Sequence, residues 1–236
     1  MRIWNKVFFT AAVLFFSLNL LAQDSSFRFG VKAGLNLSTA IVNEATNTRF
    51  KTGYHIGGTV DYLLPKNFLI QSGLYLSAKG SKIDNLYGSN YMGGKPDFTH
   101  TFNQFYLELP IRGAYRLNVS NDFNIVLGVG PYLGYGIGGK TKQKLNSGTW
   151  SEGNTEIEWD TFGNGVFDEG RDYLRGETLK RFDLGIGFGV DLEYRKYVLG
   201  IGYQCSVMDI ASDDYYYPDL RYKNSVNIQI SVGYKF

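Results

Sequence analysis

The chain has 236 residues, a formal net charge of +2 and one cysteine. The near-neutral charge gives no sign of a nucleic-acid-binding surface, and a single cysteine excludes a fold held together by internal disulfides. Tyr (18), Phe (17) and Gly (29) are abundant and Pro (5) is scarce, which is typical of a β-rich chain. We therefore expect an all-β protein with no nucleic-acid partner.

The N-terminal residues 1–22 have the pattern of a secretory signal peptide. Met1–Lys6 carries two positive charges, the uncharged apolar run Val7–Leu21 follows, and the small residue Ala22 ends the segment. A retained membrane anchor is the alternative, but about 20 apolar residues are needed to cross a bilayer core. The sequence predicts export, with cleavage after Ala22 and residues 23–236 as one mature domain.

Apolar residues occupy every second position in eight segments of the mature chain, which is the side-chain period of a β-strand. In chain order these predicted strands are Phe27–Leu37, Tyr54–Leu64, Phe68–Ser81, Phe105–Leu117, Phe123–Ile137, Phe182–Tyr194, Tyr197–Val207 and Ser225–Phe236. Alternation by itself does not separate a soluble barrel, whose apolar face lines a core, from a membrane barrel, whose apolar face contacts lipid.

The connections between these strands alternate in length. Three are tight: Leu64–Asn67, Asn118–Asp122 and Arg195–Lys196. Four are long: Ser38–Gly53, Lys82–Asn103, Lys140–Lys180 and Asp209–Asn224. Aromatic residues gather at the short-turn ends of the apolar faces, where interfacial rings are expected. Short periplasmic turns and long extracellular loops are typical of outer-membrane barrels.

The polar faces of the predicted strands carry many charges, more than a soluble apolar core can hold. These residues are Arg28, Lys32, Asp61, Lys79, Glu108, Arg112, Arg116, Asp183, Asp191, Glu193 and Lys235. We therefore predict a monomeric eight-stranded antiparallel up-and-down transmembrane β-barrel whose lumen holds them. Such a barrel is just wide enough for side chains to fill, so we expect a paired network centred on Glu108, Arg112 and Arg116. An ion or proton path is the alternative.

The chain resembles the PorT-like outer-membrane β-barrel family of Gram-negative bacteria. The resemblance rests on FRFGVKAGLNLST (Phe27–Thr39), YLELPIRGAYRL (Tyr106–Leu117), GVGPYLGYGIGG (Gly128–Gly139) and DLGIGFGVDLEYR (Asp183–Arg195). The Tyr106–Pro110 piece is its most specific part. The resemblance implies a small barrel in the outer membrane. We interpret the terminal Phe236 as the signal that the outer-membrane assembly machinery reads during insertion.

One segment of the longest loop resembles a calcium-binding loop. Asp160, Asn164 and Asp168 match three ligand positions, and a glycine lies where such loops turn sharply. Phe162 and Arg171 stand where ligands are expected, so a solvated acidic loop is the alternative reading. No other cofactor is expected.

For function, the sequence favours a structural or interaction role at the cell surface: envelope integrity, adhesion, or an accessory part in secretion or surface assembly. Loop rings such as Trp150, Trp159 and Tyr215–Tyr217 are candidate contacts for a surface protein or glycan. A barrel enzyme using His55 or His100, or a narrow small-solute channel, is the alternative. No motif supplies a nucleophile, so no catalytic residue is assigned.

Overall fold

The computed structural model describes residues 26–42, 47–84, 97–147, 156–162, 179–211 and 222–236. The predicted signal peptide, residues 1–22, lies outside these ranges. Within them the chain is almost entirely strand. No helix among the described residues has the length and apolar character needed to cross a bilayer.

Eleven strands and one short 3-10 turn follow one another along the described chain. Their bounds are β1 Phe27–Val42, β2 Asn47–Arg49, β3 Lys51–Leu63, the turn Pro65–Asn67, β4 Phe68–Asp84, β5 Asp97–Asn118, β6 Phe123–Gly138, β7 Lys140–Ser147, β8 Glu156–Asp160, β9 Phe182–Tyr194, β10 Tyr197–Ser206 and β11 Tyr222–Lys235. Eight of them (β1, β3, β4, β5, β6, β9, β10 and β11) form an antiparallel ring, which closes where Leu35 of β1 pairs with Ile230 of β11. The predicted eight-stranded barrel is confirmed.

The three predicted short connections lie together at one end of the barrel. Their tight reversals place Lys66, Asn67 and Arg195 in the left-handed backbone region, with φ angles of 59°, 64° and 53°. Neighbouring turns are also tied together, because the backbone N–H of Arg195 donates to the carbonyl of Asp122 at 2.8 Å. In barrels of this kind the short-turn end is periplasmic.

The outer wall is apolar, and the lumen is polar. Large apolar side chains are exposed all around the ring, among them Leu35, Ile201, Ile230 and Val232. Water would make this wall unfavourable, since each exposed aliphatic side chain forgoes about 1.5–3 kcal/mol of burial. In lipid the same wall is solvated. The arrangement is that of a membrane-spanning barrel.

Two belts of aromatic rings bound the apolar wall. At the short-turn end the ring pairs are Phe27–Tyr62 (4.9 Å between centroids), Phe68–Tyr115 (5.0 Å) and Tyr197–Tyr234 (5.6 Å). At the other end they are Tyr54–Phe105 (6.3 Å) and Tyr135–Phe182 (5.1 Å). Tyr54 and Tyr62 of β3 are thus roughly 20 Å apart along the barrel axis, allowing for strand rise and tilt. The upper belt was not identified from sequence.

Above the upper belt the strands continue into segments that the sequence predicted as loops. This surface extension comprises residues 38–42, 47–52, 80–84 and 97–104 together with β7 and β8, which form a hairpin alongside β5. The predicted loop bounds at Ser38–Gly53, Lys82–Asn103 and Lys140–Lys180 were therefore wrong, and so was the bound of Asp209–Asn224, because β11 begins at Tyr222. Backbone groups there remain paired in the sheet, which extends the barrel beyond the lipid.

The inner face changes character at the same height. At the level of the surface extension ten buried apolar side chains form one cluster, here called the apolar cap: Ala40, Val42, Ile83, Phe102, Tyr106, Phe162, Leu179, Ile210, Ala211 and Tyr222. Buried polar side chains, among them Ser81, His100 and Thr141, lie at the same level. Beyond the lipid the outside of the barrel meets water, so apolar side chains are favoured inside. The cap lies directly above the polar lumen.

Candidate functional site

The charged side chains predicted to face the lumen lie there in three groups, stacked along the barrel axis. The group nearest the short turns joins five strands, β1, β3, β5, β9 and β11. Lys235 lies 2.5 Å from both Asp61 and Glu193. Arg28 lies 2.7 Å from Asp61 and 3.1 Å from Glu193, and Arg116 lies 3.3 Å from Glu193. Two carboxylates are thus shared by three cations, so that each buried acid is compensated.

The middle group is a single ion pair with a neutral companion. The Lys32 ammonium donates to both carboxylate oxygens of Asp191 at 2.7 Å. The amide of Gln71 also donates to Asp191, at 3.3 Å, and to Asp61 of the lower group at 3.5 Å. Gln71 therefore links the middle group to the lower one.

The upper group surrounds Lys79, whose side chain is only 1% exposed. Its ammonium lies 2.8 Å from Glu108 and 3.0 Å from Asp183. It also lies over the rings of Tyr106, at 4.4 Å, and Tyr132, at 5.1 Å, a geometry in which the ring faces attract the cation. Lys79 thus joins the polar lumen to the aromatic base of the apolar cap.

The predicted network centre, Glu108 with Arg112 and Arg116, is wrong, because the structure places the three side chains apart. Glu108 pairs with Lys79, and Arg116 belongs to the group at the short turns. Arg112 makes no ion pair among the described residues and lies beside a cavity of about 30 Å³ in the middle of the lumen. That volume holds about two water molecules.

Phe162 seals the upper end of the lumen. Its ring lies where a side chain on Gly136 would stand, 2.6 Å from the position of such a Cβ, and packs edge-on against Tyr106 at 5.3 Å. The neighbouring Thr161 donates its hydroxyl to the carbonyl of Asn103 at 2.8 Å. Phe162, which stands where the calcium-loop pattern expects a ligand, therefore has a packing role.

The candidate calcium site is described only in part. Asp160 ends β8, is exposed, and lies 3.6 Å from the ammonium of Lys140; Asn164 and Asp168 lie outside the described residues. Within the described ranges no group of three potential metal ligands is found. On the same hairpin, hydrogen bonds to Glu158 and Glu156 raise the pKa of Lys142.

The two histidines both lie on the inner face. His55 in the lumen shares a hydrogen bond of 2.8 Å with Asn36, through its Nδ1. His100 belongs to the surface extension, is 2% exposed and packs edge-on against Trp159, with ring centroids 6.4 Å apart. Trp159, expected as a surface ring, is therefore buried; Trp150 and Tyr215–Tyr217 lie outside the described residues.

We expect the packing around Trp159 to loosen as pH falls from about 6.5 to 4. Burial lowers the pKa of His100 to about 4, against about 6.5 in an unfolded chain. The unfolded state therefore binds the proton first, so stability is full above pH 6.5 and decreases toward pH 4, by up to roughly 3 kcal/mol. Trp159 fluorescence in a Trp150→Phe background measures this. If the Trp159 fluorescence of a His100→Gln variant changed with the same pH midpoint, the assignment of the transition to His100 would be contradicted.

The proposed assembly signal, Phe236, lies at the short-turn end. Its backbone N–H donates to the carbonyl of Phe29 at 2.9 Å, and its ring packs edge-on against Tyr234 at 5.6 Å. The terminal residue thus takes part in the β1–β11 seam and in the lower aromatic belt.

Residues 21–212 match the family described as "Outer membrane protein beta-barrel domain". No curated protein matches the sequence. Among solved structures, the chain is similar to Ail, the attachment invasion locus protein of Yersinia pestis (TM-score 0.43, 11% identity, 89% of this chain and 98% of that chain). It is also similar to OprG from Pseudomonas aeruginosa (0.41, 13%, 89% and 96%) and to Neisserial surface protein A (0.39, 12%, 88% and 95%). Because the family match covers most of the sequence, the protein belongs to the outer membrane protein beta-barrel domain family and is an outer-membrane protein.

Proposed function

We propose that this protein is a non-conducting outer-membrane barrel that carries a stiff contact surface and has a structural or interaction role at the cell surface. The observation that carries the proposal is the filled lumen, in which three groups of ion pairs and the apolar cap follow one another along the axis. The cavity of about 30 Å³ beside Arg112 is far smaller than a path for hydrated solutes requires. A narrow small-solute channel is therefore the less favoured alternative.

The β7–β8 hairpin supports the contact role. It is hydrogen-bonded along β5, where Phe102 pairs with Thr141, and so extends the barrel wall as a sheet. Its exposed side chains alternate between cations on β7 and acids on β8, with Lys142 2.9 Å from Glu158. Exposed ion pairs of this kind contribute little to stability, about 0–1 kcal/mol. A mixed-charge face suits a surface protein or glycan, in adhesion, envelope integrity, secretion or surface assembly.

An enzyme acting on lipid or peptide is less well supported. General base catalysis needs an imidazole within hydrogen-bond reach of the substrate. His100 is buried beneath Trp159, and His55 is hydrogen-bonded to Asn36 inside the lumen. We therefore propose no catalytic residue and no resident cofactor, while calcium at Asp160 stays a prediction.

The specific family, the removal of the signal peptide, the mode of insertion and the oligomeric state are part of the same proposal. Kinship with the PorT-like family is proposed from the resemblance of Phe27–Thr39, Tyr106–Leu117, Gly128–Gly139 and Asp183–Arg195, within which Tyr106–Pro110 is the most specific part. Removal of residues 1–22, insertion by assembly machinery that reads Phe236, and a monomeric state follow from the sequence pattern. Outer-membrane lipid is then the partner of the apolar wall.

The proposal is tested by conductance and by crosslinking on the same protein. In planar bilayers we expect no single-channel steps, while an open porin in the same bilayers serves as positive control. On intact cells, a photo-crosslinking residue at Glu156 is expected to give a discrete heavier species that the same residue at Asp122, in a periplasmic turn, does not give. Reproducible conductance steps would overturn the sealed lumen, and absence of a Glu156-specific product would overturn the contact surface.

A further inference from the structure

Among the described residues, one basic side chain in the lumen, Arg112, has no carboxylate as a partner. The described residues place six basic side chains and five acidic ones in the lumen. Lys32, Lys79, Lys235, Arg28 and Arg116 each lie within 3.3 Å of a carboxylate. Arg112 has no carboxylate within ion-pair distance, and its buried Nε–H has no acceptor among the described residues. An uncompensated charge in a membrane interior is costly and marks a functional site by default.

The guanidinium of Arg112 packs closely against backbone glycines. Arg112 extends from β5 past the neighbouring strand β6 to the glycines of β9. Its Nη1 lies 2.8 Å from the place that a Cβ on Gly189 would take, and its Nη2 lies 3.4 Å from the corresponding place on Gly187. A Cβ at Gly189 would require the guanidinium to shift, whereas one at Gly187 would make ordinary van der Waals contact with it. The guanidinium therefore packs against these glycines in the middle of the barrel.

The cavity beside Arg112 is lined by further hydrogen-bond donors. Lys32, His55, Tyr75, Gln204 and Gln229 carry such groups and line the cavity. Ser231 also lines it, but its hydroxyl donates to the carbonyl of Gly200 at 3.5 Å. Glu108 and Asp191 also border the cavity, but Lys79 lies 2.8 Å from Glu108, and Asp191 accepts from Lys32 at 2.7 Å. The acids there are already compensated, while the guanidinium of Arg112 is not.

We infer that this cavity binds a small monovalent anion, of the size of chloride, against the Arg112 guanidinium. The anion supplies the missing negative charge, and hydroxyl and amide donors complete its coordination. A space of about 30 Å³, which holds about two water-sized particles, admits a halide and excludes sulfate or gluconate. Arg28 and Arg116, whose side chains are 22% and 17% exposed, mark a positively charged approach from the short-turn end.

The experiment uses the folded, full mature barrel in an uncharged detergent. Bromide replaces gluconate at constant ionic strength, and the unfolding temperature is measured. We expect a saturable rise of about 3–6 °C at ten times the dissociation constant. Arg112→Met is expected to abolish the rise. Arg195→Met, which removes an arginine from an exposed turn where it pairs with Asp122, is expected to retain it.

A second measurement needs no variant and covers the case in which Arg112→Met does not fold. Anomalous diffraction from wild-type crystals grown in bromide is expected to give a peak within about 3.5 Å of the Arg112 guanidinium nitrogens. No bromide-dependent rise in the wild type, an equal rise in Arg112→Met, or anomalous peaks confined to the outer surface would each overturn the inference.

Discussion

Replacement of Lys79 by Met is expected to destabilise the folded barrel by about 3–5 kcal/mol. Lys79 is the cation that Glu108 and Asp183 share, at 2.8 and 3.0 Å, and all three side chains are at most 2% exposed. Without it, two carboxylates face each other away from water, where an uncompensated charge is most costly. The rings of Tyr106 and Tyr132 also lose the cation that they stack on.

Urea unfolding in detergent, followed by the gel-mobility shift between folded and boiled protein, measures this loss. Arg49→Met is the matched control, because Arg49 pairs with Asp84 at 2.6 Å on the outer surface and is 52% exposed. We expect it to cost at most about 1 kcal/mol. The triple change Lys79→Met, Glu108→Gln and Asp183→Asn is expected to recover most of the stability, since it leaves no unpaired charge. A cost for Lys79→Met no greater than that for Arg49→Met would contradict the argument.

Replacement of Ile230 by Arg is expected to destabilise the barrel by about 2–4 kcal/mol in a bilayer. Ile230 points outward from β11, midway between the aromatic belts, and pairs with Leu35 and Ile201 of the neighbouring strands. An arginine there must place its charge in hydrocarbon, far from either headgroup region.

Ile41→Arg is the control that separates lipid from water. Ile41 is 64% exposed on the surface extension and Ile230 is 56% exposed, so a soluble barrel would tolerate both changes equally. In an outer-membrane barrel we expect Ile41→Arg to change stability by less than about 0.5 kcal/mol. Folding titrations in lipid vesicles measure both variants. Equal effects would show that the apolar wall does not contact lipid.

Local sequence was sufficient to predict the barrel wall, because the side chain at each strand position points either into the lumen or outward. The alternation in Ser225–Phe236 and the short connection Arg195–Lys196 predicted strands, turns and the sorting of charges into the lumen. The change from polar to apolar inward-facing side chains above the upper aromatic belt could not be predicted in this way. Ile83 and Phe102 continue the inward positions of their strands with no break in period, and only the surroundings of the barrel change there.

The amino-acid sequence alone is enough to predict the class of molecule: eight amphipathic strands, their order, and a lumen that holds many charged side chains. Which charges meet was decided by tertiary structure alone. Arg28 lies beside Glu193, 165 positions away along the chain, because barrel closure and strand stagger bring β1 and β9 side chains to one height. Among the described residues Arg112 is left without an acid, because the two carboxylates that border its cavity, Glu108 and Asp191, pair with Lys79 and Lys32. Strand period depends on neighbouring residues, whereas ion pairing depends on the distance across the closed ring.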